Sequence, residues 1–258
     1  MNNTDKSGVI LKFWNEIEQD RSFQENDRLE QNDNESSDKY AQRVLEVIIL
    51  KFPTNKYAKS LFKRLKMDGV FKVTDDETNP NGIEIIYNNE YIPYRLDLIE
   101  HSPFGFSLGN GSSSARQLSL AILATASTDS YAKKYYNDFQ PFLLNILNNP
   151  KDLLGKKQEI SYIQIQQWII KKKREDMKNI VKYVCNELNI TQKALSEEIG
   201  VSEGTVNRWS AKPEDVPLQT QKTLKILLEN AQLKENQNKL LTAISLLDEV
   251  KNTQNISL

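Results

Sequence analysis

The sequence predicts an α+β protein that is mainly helical: a small α/β middle domain, then an all-α domain built on two short helices and a tight turn, then a long C-terminal helix. Three observations lead there. Apolar residues recur at helical spacing through most of the chain. Short runs rich in β-branched and aromatic residues, bounded by turn residues, are confined to the stretch between Val70 and Tyr94. After Pro217 the sequence runs to its end without Gly or Pro. The expected division is 1–39, a flexible N-terminal segment; 40–170, an α+β domain; 171–232, the helix-pair domain; and 233–258, a C-terminal helix.

The first segment carries one short amphipathic piece (Val9, Ile10, Phe13, Trp14, Ile17), then a polar run of mixed charge up to Asp38. That run lacks the apolar surface to offset chain ordering, so it is expected to be a linker, with the apolar piece docking on the body or on a partner. Tyr40–Phe52 and Asn55–Met67 read as two helices separated by Pro53. The second carries Lys56, Lys59, Lys63, Arg64 and Lys66, facing broadly one way; a solvated face is the commoner role of such a run, contact with nucleic acid the sharper one.

Strands are expected at V-F-K-V from Val70, at Ile83–Tyr87, and at Tyr91–Tyr94 beyond the turn Asn88-Asn89-Glu90. His101–Leu123 then reads H-S-P-F-G-F-S-L-G-N-G-S-S-S-A-R-Q-L-S-L-A-I-L. Glycine-rich chain meeting a helix start can cradle an anion on the amides of Ser112–Ala115. No Lys follows as in a P-loop, however, and no G-x-G-x-x-G follows a strand, so a structural joint is the plainer reading. Helices are expected with Leu118, Leu120, Ala121, Ile122 and Leu123 buried, over Ser130–Asn148, and over Ile160–Ile170.

This stretch, about Gly82 to Ile170, resembles the domain-of-unknown-function family numbered 6166. Its hallmark is roughly S-P-x-G-F-x-W-G-Y-G-G-S-G-P-A-Q-L-A-L-A, followed by a helix with a Y-x-x-F step. Ser102-Pro103, Gly105-Phe106, Gly109, Gly111, Gln117-Leu118, Leu120-Ala121 and Tyr136-x-x-Phe139 match. Leu108 stands for tryptophan, Asn110 for tyrosine, Ser112 and Ser114 for glycines and Ala115 for proline. The resemblance implies an accessory or sensor domain, open to a protein or small-molecule signal, and no known activity.

Thr191–Trp209 reads T-Q-K-A-L-S-E-E-I-G-V-S-E-G-T-V-N-R-W. Leu195 and Ile199, then Val201, Val206 and Trp209, mark two short helices meeting at Gly200, the residue type that takes a left-handed turn without strain. Thr191 and Ser202 suit the two N-caps. This is a helix-turn-helix pattern, and it resembles the phage-repressor-like (xenobiotic-response-element) family, with Ser196 where alanine is usual. The resemblance implies a recognition helix from Ser202 to about Ala211 that turns Glu203, Thr205, Asn207 and Arg208 away from the core. Asn can read adenine, Arg guanine, and Glu can accept from cytosine. Gln192, Lys193 and Lys212 would lie near phosphates; the cluster Lys171, Lys172, Lys173 and Arg174 could add phosphate contacts, though a solvated helix face is the commoner role of such a run.

Beyond Pro217, Leu224, Ile226, Leu227, Leu228, Ala231, Leu233, Leu240, Leu241, Ile244, Leu247 and Val250 keep helical spacing. Leu233, Leu240 and Leu247 recur every seven residues, which suits a coiled-coil seam in a homodimer; packing back onto the chain's own body would use the same stripe. A dimer implies half-sites roughly 34 Å apart on double-stranded DNA.

Composition narrows the remaining classes. With 34 Lys plus Arg against 35 Asp plus Glu, the net charge is −1, so no global basic field draws the chain onto DNA and affinity must be local or come from pairing. At 38% hydrophobic residues a core is available. No apolar run approaches the roughly 20 residues of a membrane helix, and no secretion signal opens the chain, so a cytoplasmic location without membrane contact is expected. Cys185 is the single cysteine and sits among Ile180, Val181 and Val184, a core position on a helix expected from about Asp176 to Leu188. One His and one Cys leave no metal set, and no cofactor is expected. His101-Ser102 with Asp97 lacks a nucleophile elbow, so catalysis is not expected. The competing class is a protein-interaction adaptor that keeps the helix-turn-helix fold.

Overall fold

The computed structural model describes residues 3–20, 23–24, 27–32, 35–75, 82–109, 111–147 and 158–255, without the side chains of Asn3, Thr4 and some residues after 231. The chain divides into two compact units, Met1–Ile170 and Lys171–Leu258. Among the described residues it is mainly helical, with one four-stranded sheet.

In the first unit, α1 (Asn3–Glu18), α2 (Ser37–Lys51) and α3 (Lys56–Arg64) share one core. Trp14 and Ile17 of α1 are buried against α2 residues such as Val44 and Ile48 and against Leu61 and Phe62 of α3. The rings of Trp14, Phe23 and Phe52 lie 5.5 to 6.4 Å apart. The N-terminal segment is therefore not set apart as a linker where it is described. Its polar run bonds to α2: the Tyr40 hydroxyl donates to the Leu29 carbonyl, Arg43 pairs with Glu35 at 2.6 Å, and Lys51 pairs with Asp27. Polar composition hid this, because the run is held by side-chain hydrogen bonds together with only two apolar residues, Phe23 and Leu29, packed against the helical core.

The sheet has the order β3-β2-β1-β4, from β1 (Val70–Asp75), β2 (Ile83–Tyr87), β3 (Glu90–Tyr91) and β4 (Glu159–Ser161). All pairings are antiparallel, with Phe71 opposite Tyr87 on one side and Ile160 on the other. The α/β expectation is thus corrected to an antiparallel α+β arrangement. The third strand stops at Tyr91, short of the expected Tyr94. Against the sheet's buried residues Phe71, Ile85 and Ile160 pack α4 (Ser113–Ala126), α5 (Asp129–Leu147) and α6 (Tyr162–Met177). Leu118, Leu120, Ala121, Ile122 and Leu123 of α4 are buried, as their spacing predicts.

In the second unit, α7 (Ile180–Leu188), α8 (Gln192–Ile199), α9 (Glu203–Ala211), a 3-10 turn at Pro213–Asp215 and α10 (Leu218–Asn255) surround one small core. A turn at Lys178–Asn179 separates α6 from α7, so α6 runs past the expected Ile170 to Met177 and the helix expected from about Asp176 begins at Ile180. Asn179 caps the second, its side chain accepting from the Lys182 amide. Helix α10 is continuous across the expected boundary at 232/233. No described helix is long and apolar enough to cross a membrane.

Candidate nucleic-acid interface

Every turn around α8 and α9 is set by a short-range hydrogen bond. Thr191 Oγ1 accepts from the Ala194 amide at 3.1 Å, and Ser202 Oγ accepts from the Thr205 amide at 3.2 Å, each satisfying an amide that the first helical turn leaves free. Between them Gly200 takes φ 70°, ψ 34°. Its amide reaches back to the Glu197 carbonyl while the Val201 amide bonds the Ser196 carbonyl, the paired closure that ends a helix through a left-handed residue. Helix α7 ends the same way through Asn189 at φ 53°.

The inner faces meet in a core of Val181, Val184, Leu195, Val206, Trp209, Val216 and Leu224. Ser196 is buried, and its hydroxyl donates to the Lys193 carbonyl at 2.7 Å, so the small hydroxyl fits where it stands. Cys185 joins this core, and burial pushes its thiol up.

With Val206 and Trp209 turned inward, the outer surface of α9 is fixed. At about 100° per residue, Gly204 and Arg208 lie roughly opposite Val206, with Asn207 beside them. Glu203, Asn207 and Arg208 are exposed, as are Ser202, Lys193 and Lys212. Thr205 is half-buried, its hydroxyl 2.8 Å from that of Ser202. Gln192 is half-buried too: its Nε2 donates to Ser210 Oγ at 3.0 Å, tying the start of α8 to the end of α9. The eight residues singled out by sequence thus lie on one small helix pair, with Gln192 and Thr205 also engaged inside it.

Three contributors escaped the sequence reading. Buried Ser210 receives Gln192 on its hydroxyl and Asn179 Nδ2 on its carbonyl, at 3.0 Å each, so it gathers α7, α8 and α9. Asn189 supplies the left-handed cap. Gly204 is exposed in the first turn of α9, and a Cβ added there meets nothing within 4 Å. No packing inside the chain requires a glycine at that point. The spacing around Gly200 was a sufficient signal for a turn; nothing local distinguishes Gly204.

The expected basic cluster before the helix pair lies on the last turns of α6, where Lys172 Nζ is 3.6 Å from Asp176. Residues 171–258 carry 14 Lys plus Arg and 12 Asp plus Glu, close to balance.

In the first unit, the glycine-rich stretch is organised by Gln117 rather than by a ligand-shaped opening. Its side chain is fully buried and fills all four of its hydrogen-bonding positions. Oε1 accepts from the amides of His101 (2.7 Å) and Ser102 (3.2 Å); Nε2 donates to the carbonyls of Tyr94 (2.5 Å) and Ile99 (3.1 Å). Ser112 caps α4 by accepting from the Ala115 amide, and its hydroxyl donates to the Gly109 carbonyl. His101 packs its ring 4.8 Å from that of Tyr136; burial pushes its imidazole below the usual range, and the Arg116 charge acts in the same direction. Asp97 pairs with Arg95, not with His101. Among the described residues no group of three His, Cys, Asp or Glu side chains is arranged to hold a metal ion.

Residues 74–171 match the sequence profile of a family of unknown function, DUF6166. The match runs from the end of β1 into α6 and takes in Gln117 with the loop it holds. No curated protein and no solved structure matches the chain.

Proposed function

We propose that the protein is a sequence-specific DNA-binding regulator of the helix-turn-helix kind, in which α9 enters the major groove and two chains act together. The observation that carries this reading is the outer face of α9: Asn207 and Arg208 are exposed beside Gly204, a residue with no steric role inside the chain. Arg and Asn are the side chains that pair bidentately with guanine and adenine, and a missing Cβ lets a duplex come close. Ser202 and Glu203 open the same helix toward bases, Thr205 flanks it, and Lys193, Lys212 and the start of α8 at Gln192 lie where phosphates would run.

Pairing is supported by α10, which has two apolar stripes. Leu224 is buried in the unit's own core, with Leu227 and Leu228 partly buried beside it. At about 100° per residue, Ile226, Leu233, Leu240 and Ile244 fall within roughly 40° of one another on the opposite side, and all four are exposed, by 47 to 62%. The first three recur every seven residues, with the exposed Asn230 and Gln237 between them, a spacing suited to a seam with a second copy. The side chain of Leu247, also expected in that seam, lies outside the described residues. The middle domain then acts as an accessory part without catalysis, open to a signal that its chemistry does not name.

A random-duplex selection with the full-length chain tests this. A palindromic motif is expected, with half-sites roughly 34 Å apart. Arg208→Ala should cost roughly 1 to 3 kcal/mol of operator affinity and relax preference at one position. Gly204→Ala should leave the fold as stable or raise its stability by up to about 1 kcal/mol, yet weaken duplex binding in a fluorescence-anisotropy titration. Unchanged operator affinity in both variants would remove α9 from the interface. The near-balanced charge of residues 171–258 favours a second reading, an adaptor that keeps the fold without reading DNA. Selection without an enriched motif is the outcome that reading expects.

A further inference from the structure

We infer that α3 is a second contact for nucleic acid, a site on the first unit that grips the phosphates of duplex DNA without reading sequence. Lys56, Lys59 and Lys63 fall within about 60° of one another around the helix, and Arg64 and Lys66 extend the patch past its end. All five are exposed. The stretch 55–67 contains no Asp or Glu. None of the five forms an ion pair among the described residues, whereas Lys172 in the other basic run is paired with Asp176.

Three features of α3 work against its own stability, which a merely solvated helix would avoid. Lys56 and Lys59 are like charges at i,i+3, and Lys59 and Lys63 at i,i+4. Lys56 sits in the first turn, where the helix dipole disfavours a cation. Lys66 adopts φ 57° just past the helix, the left-handed position where glycine is free of strain and a lysine is not. A polyanion along this face offsets the first two, and Lys66 adds its charge to the same contact. The opposite side of α3, Ala58, Leu61 and Phe62, is buried in the unit's own core, so no apolar face is left to enter a lipid surface. The choice of DNA as the polyanion rests on the reading proposed for α9; the patch itself does not.

The test is salt dependence of binding by the full-length chain to a 30-base-pair duplex of arbitrary sequence, comparing wild type, K56Q/K59Q/K63Q and a control, K12Q/K72Q/K133Q, with three exposed lysines removed elsewhere in the unit. Glutamine keeps helix propensity and removes the repulsion, so the α3 variant should unfold at the wild-type temperature or above it. Each phosphate contact contributes about 0.9 to the slope of log affinity against log salt, so the α3 variant should lose roughly 2 to 3 from that slope. It should also bind more than about tenfold more weakly at 100 mM salt, while the control changes little. An unchanged slope, an equal loss in the control, or wild-type binding to phosphatidylserine vesicles as tight as to the duplex would overturn the site. If instead the α3 variant loses its slope while no sequence motif is ever selected, the α9 reading fails and this one stands.

Discussion

Trp209→Ala is expected to unfold the second unit more readily than any single change on its outer surface. The indole is buried to 5% exposure and closes the core against Val184, Leu195 and Val206, so truncation removes a large buried ring and leaves a cavity. Aromatic-to-alanine changes in such sites cost about 3 to 5 kcal/mol. Its Nε1–H has no protein acceptor, so Trp209→Phe loses volume but no hydrogen bond and should cost clearly less. Urea denaturation followed by far-UV circular dichroism separates the two. The comparison with Arg208→Ala matters for function: neighbouring residues on one helix should divide cleanly, with Trp209 moving the unfolding midpoint and Arg208 moving only binding. A Trp209→Ala protein with the wild-type midpoint would place the indole outside the core and with it the inward face of α9.

Gln117→Leu should damage the first unit to a similar extent through a different cause. Leucine is close in size, so little volume is lost, but two amides and two carbonyls lose their partner at once. An unsatisfied buried backbone group costs about 1 to 3 kcal/mol; since part of this loop can turn to water, we expect roughly 3 to 5 kcal/mol in total. Gln117→Glu is the informative companion, because it retains an oxygen to accept both amides but loses both donors and puts a charge in a fully buried position. It should be no better than leucine. Hydrogen exchange at the amides of His101 and Ser102, which donate to Gln117 Oε1, reads the clamp directly: protected in wild type, fast in Gln117→Leu. If those amides exchanged equally slowly in Gln117→Leu, the loop would be held by something other than this side chain. The same experiment bears on the region matched by the family of unknown function, which contains Gln117 and the loop it holds.

What was legible in the sequence follows from how far apart the interacting groups are. Thr191, Ser202 and Gly200 each act within about one helical turn, so residue type and spacing sufficed to predict the caps and the turn of the helix pair. The buried faces of α4, α8 and α9 were equally readable, because apolar periodicity is itself the record of burial. Of the four residues that the helix-turn-helix resemblance turned outward, Glu203, Asn207 and Arg208 are exposed, while Thr205 is half-buried.

Tertiary structure decided what no local window contains. Strand β4 pairs with β1 from almost ninety residues away, and whether it runs parallel or antiparallel depends on the path through α4 and α5, not on alternation within a strand. Gln117 reads as one more polar residue on a helix until the loop 15 to 23 residues before it folds over its side chain. Gln192 was legible as a surface residue near the start of a helix; only the folded unit brings Ser210 within 3.0 Å of it. The polar N-terminal run binds α2 through side-chain hydrogen bonds that composition does not register. Local sequence thus determined the elements and the face each presents, since propensity, capping and periodicity act over a few residues; the partners of each face were settled only when distant segments competed for the same buried volume and the same hydrogen bonds.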